Sequence, residues 1–471
     1  MQEAGSYRDP KGTIWYHDNR VFRSLFGDGV DDYQAFIESG LARKKFHHGR
    51  LIETQEISSP DDSLIKAGKA STGKNADLLL EHERVPFISY PYEWSYAQLK
   101  DAALFHLELL KKALDHNLMM SDASAYNIQF MGAEPVFIDI LSFRPYKDGE
   151  IWQGYRQFCE QFLNPLLLYN SADILFHPWY RGTFEGIPAT DLIKVLPWHK
   201  RFNPKMASHV WLQAKLQRTA DTGQIQSLAH KENRRKLPKK HLQAMVRDLY
   251  DWITGFKDVD NTDSVWHDYE KNNIYDSDEQ QQKTDFIARS VKGLTPTVVW
   301  DIGCNSGYYS EQALMAGAQS VIGADYDPRT VGLAYTRAKE KTLNLTTICQ
   351  DLVNPSPAQG WHLKERKSLF DRCNGDMVIA LALIHHIVIG RNIPISMFID
   401  WLISLAPTGV VEFVPKEDPM VQTLLQNRED IFPDYHQDHF QTLLSNHADI
   451  LDQAVVTKSG RILYQYKRRL V

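Results

Sequence analysis

The sequence predicts an α/β domain with a mainly parallel sheet over residues 256–471, preceded by an α+β domain over 1–255. Three observations carry this. From Val298 onward, short apolar runs suited to buried strands alternate with helical patterns. The first two of these runs end in Asp301 and Asp325, and Asp351 follows the third. The first 255 residues lack that alternation and hold a hairpin, a long helical pattern and isolated short strands.

In the second region, strands are expected at 297–302, 320–325, 345–349, 376–381, 409–414 and 462–467. Helical patterns at 307–317, 329–341, 393–405, 417–427 and 437–447 separate most of them, an alternation that builds a parallel sheet with helices on both faces. The last strand, preceded by Lys458-Ser459-Gly460, is expected to be an antiparallel edge. In the first region, Thr13 to Tyr16 and Val21 to Leu25 form a hairpin about Asp18-Asn19. Ser58 to Asn75 is polar and reads as a mobile loop. Asp77 to Leu80 and Phe87 to Tyr90 read as a strand pair, Leu99 to Leu114 as a helix and Val136 to Ile140 as a short strand.

A length of 471 residues allows two or three domains, and 43% hydrophobic with 24% charged residues is a soluble globular composition. The N-terminus has no apolar signal core. The longest uncharged apolar run, Met377 to Gly390, is short of the roughly 20 residues that span a bilayer. A cytoplasmic protein without a transmembrane segment is expected. Cysteines 159, 304, 349 and 373 form no Cys-x-x-Cys pair, so neither a disulfide framework nor a zinc site is indicated. The net charge of −6 is uneven: between Lys194 and Arg247, 13 Lys and Arg face two acids, Asp221 and Glu232. This basic segment, 194–247, suits an anionic partner such as a phosphorylated sugar, nucleic acid or lipid headgroup; solvated helices around a linker are the simpler reading.

Val298-Val299-Trp300-Asp301-Ile302-Gly303-Cys304-Asn305-Ser306-Gly307-Tyr308 reads as a strand, a glycine turn and a helix. In such a sheet a ligand lies across the carboxyl ends of the strands. A dinucleotide fingerprint needs glycines where Asn305 and Tyr308 stand, so that template fails twice. A cofactor with an ammonium group in place of phosphates favours a carboxylate there, and Asp301 supplies one. Asp325, 24 residues on, ends the next strand, where a carboxylate accepts hydrogen bonds from both ribose hydroxyls. Asp351 follows 26 residues later, placed for an adenine amino group.

These acids and the Asp-x-Gly-x-x-x-Gly turn resemble the class I S-adenosylmethionine (SAM)-dependent methyltransferases, of Rossmann-like fold, over roughly the last 200 residues. The resemblance implies SAM as cofactor, with Asp301, Gly303 and Gly307 about its methionine part, Asp325 at the ribose, and Asp351 with Leu352 at the adenine. Asn305 replaces the usual middle glycine, and Asn tolerates the left-handed backbone better than most residues. Trp266, Tyr269 and Tyr275, with the helix Glu279 to Val291, resemble the lid over the cofactor; core packing is an equal reading of each aromatic.

Methyl transfer is an in-line displacement that aligns acceptor and cofactor and sometimes removes an acceptor proton. The strand 376–381 runs into Ala382-Leu383-Ile384-His385-His386, where this fold faces the methyl group. His385 or His386 is the candidate base, since histidine titrates near neutral pH; adjacent side chains diverge, so one at most serves. Glu412 and Lys416 follow the fifth strand and either border the acceptor or are strand-end charges. Neither an Asn-Pro-Pro-Tyr-like tetrapeptide nor a Pro-Cys nucleophile, the marks of base methylation, is present.

In the first region, Asp122, Asn127 and Asp139 resemble the catalytic and magnesium-binding loops of protein-kinase-like and aminoglycoside-phosphotransferase-like folds. The resemblance implies Mg-ATP, yet no histidine precedes Asp122 and no glycine-rich phosphate loop or lysine–glutamate pair is found. An inactive kinase-like scaffold, an active phosphotransferase and an unrelated α+β domain all stay open. The pair of modules is similar to bacterial methyltransferase–kinases that cap surface polysaccharides, in reversed order, and the C-terminal half more loosely resembles nodulation-associated methyltransferases. Both imply transfer of a methyl group to a sugar hydroxyl, with protein or RNA acceptors open. The rivals are a bifunctional methyltransferase–kinase and a non-catalytic SAM- or nucleotide-binding regulator.

Overall fold

The computed structural model describes residues 1–221, 237–257, 277–426 and 428–469. The chain divides into two compact units. One comprises Met1–Phe130, Glu134–Asp258 and Ala358–Lys367; the other comprises Met131–Ala133, Val259–Pro357 and Ser368–Val471.

In the first unit, strands Gly12–His17 and Arg20–Leu25 pair antiparallel. Asp18 (φ 47°) and Asn19 (φ 64°) form the left-handed turn that suits the right-handed twist of a two-residue hairpin. Leu78–His82 and Thr54–Glu56 extend this sheet. The polar stretch expected to be a loop holds a helix, Asp62–Thr72. Asp61 caps it by accepting the Leu64 N–H, and Leu64 packs with Trp15, Phe22 and Leu79. Its narrow apolar stripe is hidden in the sequence among Ser, Lys and Gly. Phe87 to Tyr90 forms no strand, and the helix Tyr96–Asp115 follows it. Ser95 and Gln98 start that helix with reciprocal side-chain-to-backbone bonds. The described part of the basic segment is largely helical, and Lys194 and Lys205 pair with Asp191 and Asp248. Residues 222–236 lie outside the described residues.

In the second unit we number strands β1 Val298–Ile302, β2 Ser320–Asp325, β3 Leu345–Cys349, β4 Met377–Ala380, β5 Thr408–Phe413, β6 Ala448–Val455 and β7 Ile462–Arg468. Helices are α1 Ser277–Leu294, α2 Tyr308–Met315, α3 Pro328–Glu340, α4 Ile384–Arg391, α5 Ile395–Leu405, α6 Pro419–Leu425 and α7 Gln437–His447. Among the described residues the sheet has seven strands in the order β3-β2-β1-β4-β5-β7-β6. β1 to β5 are parallel, and β7 runs antiparallel between β5 and β6. β7 is therefore an interior strand and not the expected edge. The edge is β6, whose side chains are largely exposed and carry no buried-strand signature. Val299, Val321, Leu345, Met377, Val410 and Leu463 form a core with Phe286 and Ile287 of α1. The sheet order reverses on the two sides of β1, and at such a switch the diverging connections leave a crevice. Among the described residues, no helix is long and apolar enough to cross a membrane.

Candidate functional site

The crevice is a cavity of about 450 Å³ within the second unit, in the size range of small-molecule sites. Asp301, Gly303, Asn305, Asp325, Asp351 and Leu352, spread over 52 residues of sequence, all line it.

The turn after β1 is built for close backbone approach. Gly303, Asn305 and Gly307 are left-handed, at φ 79°, 50° and 76°. Asn305 thus adopts the conformation its chemistry tolerates, and its Oδ1 accepts the Ser306 N–H at 2.6 Å. Gly303 borders the cavity, and both its N–H and that of Cys304 bond to Ala324 O of β2. Gly307 is not a lining residue: a Cβ there would stand 3.1 Å from Ala334 and 3.2 Å from Leu345, so its role is to let α2 pack on α3 and β3.

Asp325 sits at the end of β2. One carboxylate oxygen accepts the Asn305 N–H at 2.9 Å and the other the Asp327 N–H at 3.0 Å. The Tyr326 N–H also bonds this carboxylate, whose roughly four acceptor sites still leave room for a ligand hydroxyl. Asp301 is 2% exposed, and its carboxylate receives the Ser310 hydroxyl at 2.6 Å. Burial raises this carboxyl to about 7 against the hydrogen bond from Ser310, which leaves a site that a ligand cation would stabilise in its ionised form. Asp351 is less buried; it accepts the Val353 N–H at 3.0 Å and lies 3.7 Å from Arg391.

At the other side, β4 ends at Ala380 and the chain turns through Leu381 and Ala382 into α4. None of the expected helical patterns covers Ile384 to Arg391, which is apolar nearly all round and lacks a helical stripe. The two histidine rings are in contact, with centroids 4.2 Å apart. His386 lines the cavity; His385 is 1% exposed and does not. Burial, reinforced by Arg461, lowers His386 to about 4, so it is neutral at physiological pH. Burial also holds His385 well below its ordinary value.

No local pattern marks the ionic group beneath this turn. Glu412, fully buried at the end of β5, accepts the Ala382 N–H at 2.8 Å and pairs with Lys283 of α1 at 2.6 Å. Arg461 lies 3.9 Å from Glu412 and makes two bonds to Asp418, at 2.7 and 2.8 Å. Two cations and two anions balance out of water, as buried charge requires. Glu412 does not line the cavity, and Lys416 pairs with exposed Asp430 instead. Lys283 and Gln280 of α1 do line it, while Trp266, Tyr269 and Tyr275 lie outside the described residues.

In the first unit, Asp122, Asn127 and Asp139 come together. Asn127 donates to Asp122 at 3.1 Å, and Ser142, itself in reach of Asn127, donates to Asp139 at 2.6 Å. The remaining Asp139 oxygen is taken by Arg23 at 2.6 Å, whose other nitrogen bonds Asp9 at 2.9 Å. A guanidinium therefore already balances the carboxylate expected to hold magnesium. Among the described residues, no group of three or more His, Cys, Asp and Glu side chains is arranged to hold a metal ion.

No protein-family model matches the chain. It is 40% identical over 469 residues to nodulation protein NoeA of Rhizobium meliloti (strain 1021), covering 99% of this chain and 96% of that one. Among solved structures it is similar to the N-methyltransferase NodS from Bradyrhizobium japonicum WM9 in complex with S-adenosyl-L-homocysteine, at 13% identity, 44% and 99% coverage and a TM-score of 0.32. It is also similar to WbdD, at 17% identity, 42% coverage of each chain and a TM-score of 0.31. Magnesium protoporphyrin IX methyltransferase from Synechocystis PCC 6803 with bound SAM gives 22% identity, 48% and 96% coverage and a TM-score of 0.30.

Proposed function

The chain belongs to the family of nodulation protein NoeA, and we propose that it is a SAM-dependent methyltransferase whose acceptor is a hydroxyl, in the favoured reading that of a sugar. The observation that carries this is the convergence of Asp301, Asp325 and Asp351 with the left-handed Gly303–Asn305 turn on one cavity at the sheet's switch point.

The residues suit this cofactor. Asp325 accepts the ribose hydroxyls, Asp301 faces the ammonium of the methionine end, and Asp351 with Leu352 borders the adenine. When bound, SAM supplies an electrophilic methyl on a sulfonium. Ala382, Leu383 and Ile387 exclude water from the acceptor side, which strengthens every charge interaction inside. His386 accepts a hydrogen bond from the acceptor hydroxyl and orients its lone pair for in-line attack. A neutral imidazole of lowered basicity is a weak base for a free alcohol. It suffices for the far more acidic proton of an oxygen that has begun to bond to carbon. The division of labour we propose leaves residues 256–471 with the transfer and residues 1–255 with presenting the acceptor.

Calorimetry with S-adenosylhomocysteine tests the cofactor, and transfer of labelled methyl to a panel of oligosaccharides tests the acceptor. Saturable binding that Asp325→Ala weakens by at least about tenfold is expected. No binding by the native chain, or preference for a dinucleotide, would overturn the reading.

A further inference from the structure

Far from the cavity in sequence, the first unit carries a helical turn, Trp198–Phe202, that its core does not explain. None of its five residues is buried; Trp198 is 69% and Phe202 68% exposed. Single exposed apolar side chains are ordinary, but these two are large, and their rings meet edge to face at 6.0 Å instead of folding onto the core. The turn is held in this pose. Pro197 and Pro204 fix the backbone on either side, Asn203 caps the helix that follows, and Leu196 and Met206 are buried at the two ends.

The charge around the turn is of one sign. No acid occurs between Asp191 and Asp221, a run that holds six Lys and Arg. Lys194 and Lys205 pair with Asp191 and Asp248, outside that run; Lys200 and Arg201, on the turn itself, pair with no carboxylate among the described residues. Arg201 lies over the Trp198 ring at 5.8 Å and the Phe202 ring at 5.0 Å. That guanidinium and the edge-to-face contact leave no flat platform of the kind on which a base or a sugar ring stacks. The same helical group also exposes aliphatic surface. Leu212 and Leu216 stand one turn apart on the helix Leu212–Asp221, and Val195 ends the helix Ala189–Val195 packed against it. Exposed aliphatic side chains gain nothing from a polyanion in water, whereas the boundary between lipid headgroups and acyl chains takes them up.

From this we infer that the turn Trp198–Phe202 and its flanking helices form a docking surface for an anionic phospholipid bilayer. Trp198 and Phe202 seat at headgroup depth, with Lys200 and Arg201 against the lipid phosphates. Aromatic rings on a basic helical surface prefer that depth, and each lysine or arginine near an anionic leaflet strengthens attachment about fivefold. The inference stands apart from the methyltransferase reading, because none of the cavity residues takes part in it.

Flotation of the full chain with lipid vesicles tests this. Vesicles of phosphatidylcholine with about a third phosphatidylglycerol should carry the native chain at least about tenfold better than phosphatidylcholine alone, and added salt should weaken the binding. Trp198→Ala/Phe202→Ala should lower partition into the anionic vesicles by about tenfold or more. Lys200→Glu/Arg201→Glu should lower it by a similar factor and leave any binding to neutral vesicles within about twofold. None of these four side chains is buried, so both variants should keep the native urea midpoint. No association with anionic vesicles, equal association with neutral ones, or association that both variants retain would overturn the inference. Binding to RNA or to an oligosaccharide that the aromatic variant loses, with vesicles ignored, would assign the turn to that partner instead.

Discussion

Glu412 accepts the backbone N–H of Ala382 at 2.8 Å, and Ala382 stands at φ 47°, where an L-residue with a Cβ is strained. Left-handed backbone costs a non-glycine residue about 1–2 kcal/mol. A fully buried carboxylate thus fixes a turn that the local sequence, Ala-Leu-Ile, would not choose. Ala382→Gly should relieve the strain and, after the entropy of the freer unfolded chain, stabilise the protein by about 0.5–1 kcal/mol. Urea denaturation checks this, and a loss of stability would mean the turn is not left-handed.

Glu412→Ala should act in the opposite sense. It leaves Lys283 without its anion and releases the Ala382 N–H, and breaking a buried pair from one side costs about 3–5 kcal/mol. The same denaturation experiment reads it. A cost below about 1 kcal/mol would place the pair in contact with water.

Asp301 makes stability depend on pH in an unusual direction for an acid. Its folded value is pushed up from 3.8 to about 7. Between those values the folded chain holds a proton that the unfolded chain has lost, so this contribution is full at low pH, falls as pH rises, and is gone above about 7. Asp301→Asn should remove that slope. Urea midpoints of both proteins at pH 5 and 8 decide it: parallel changes would exclude Asp301 as the source. With the ligand, the sign reverses. A cation at Asp301 favours the ionised acid, so S-adenosylhomocysteine affinity should rise with pH up to about 7 in the native chain only.

The parts legible in sequence were those whose signal is local. Asp301 and Asp325 each close a short apolar run, and parallel strands buried on both faces read as such runs. The Asn305 conformation followed from one residue's chemistry. What could not be read depends on partners far apart in the chain. Lys283 is one charge among several on an amphipathic helix, and its partner Glu412 lies 129 residues later. Likewise, Asp139 carried the spacing of a magnesium ligand, and only folding brings Arg23, from the first hairpin, onto it. β6 was missed because it lies at an edge with polar side chains, and α4 because it is buried all round.

The Arg23–Asp139 pair predicts how the first unit responds to nucleotide. Burial raises the Asp139 carboxyl, but Arg23 and the Ser142 hydroxyl outweigh it and hold it below its ordinary value. A metal ion would have to displace a guanidinium that also holds Asp9. Calorimetry with Mg-ATP should therefore give no magnesium-dependent binding to the native chain. Magnesium-dependent binding that Asp139→Ala abolishes would restore the phosphotransferase reading.

His386 and His385 allow a separation of chemistry from packing. They are adjacent in sequence, but His386 reaches the cavity and His385 is buried beneath it. His386→Ala should lower kcat by about 10²–10⁴-fold, the usual worth of a positioned acid–base group. It should leave S-adenosylhomocysteine affinity within about threefold, because the residues proposed to hold the nucleoside follow β1 to β3. His385→Ala should instead open a cavity and lower stability by about 1–3 kcal/mol, with kcat changed only as far as folding is lost. The pH profile adds a third reading. Since burial and Arg461 hold His386 to about 4, activity should fall on the acid side near that value and show no inflection near 6.5 from this residue. Loss of cofactor binding with His386→Ala, or full activity without it, would remove His386 from the acceptor side and leave the hydroxyl proton to leave unaided.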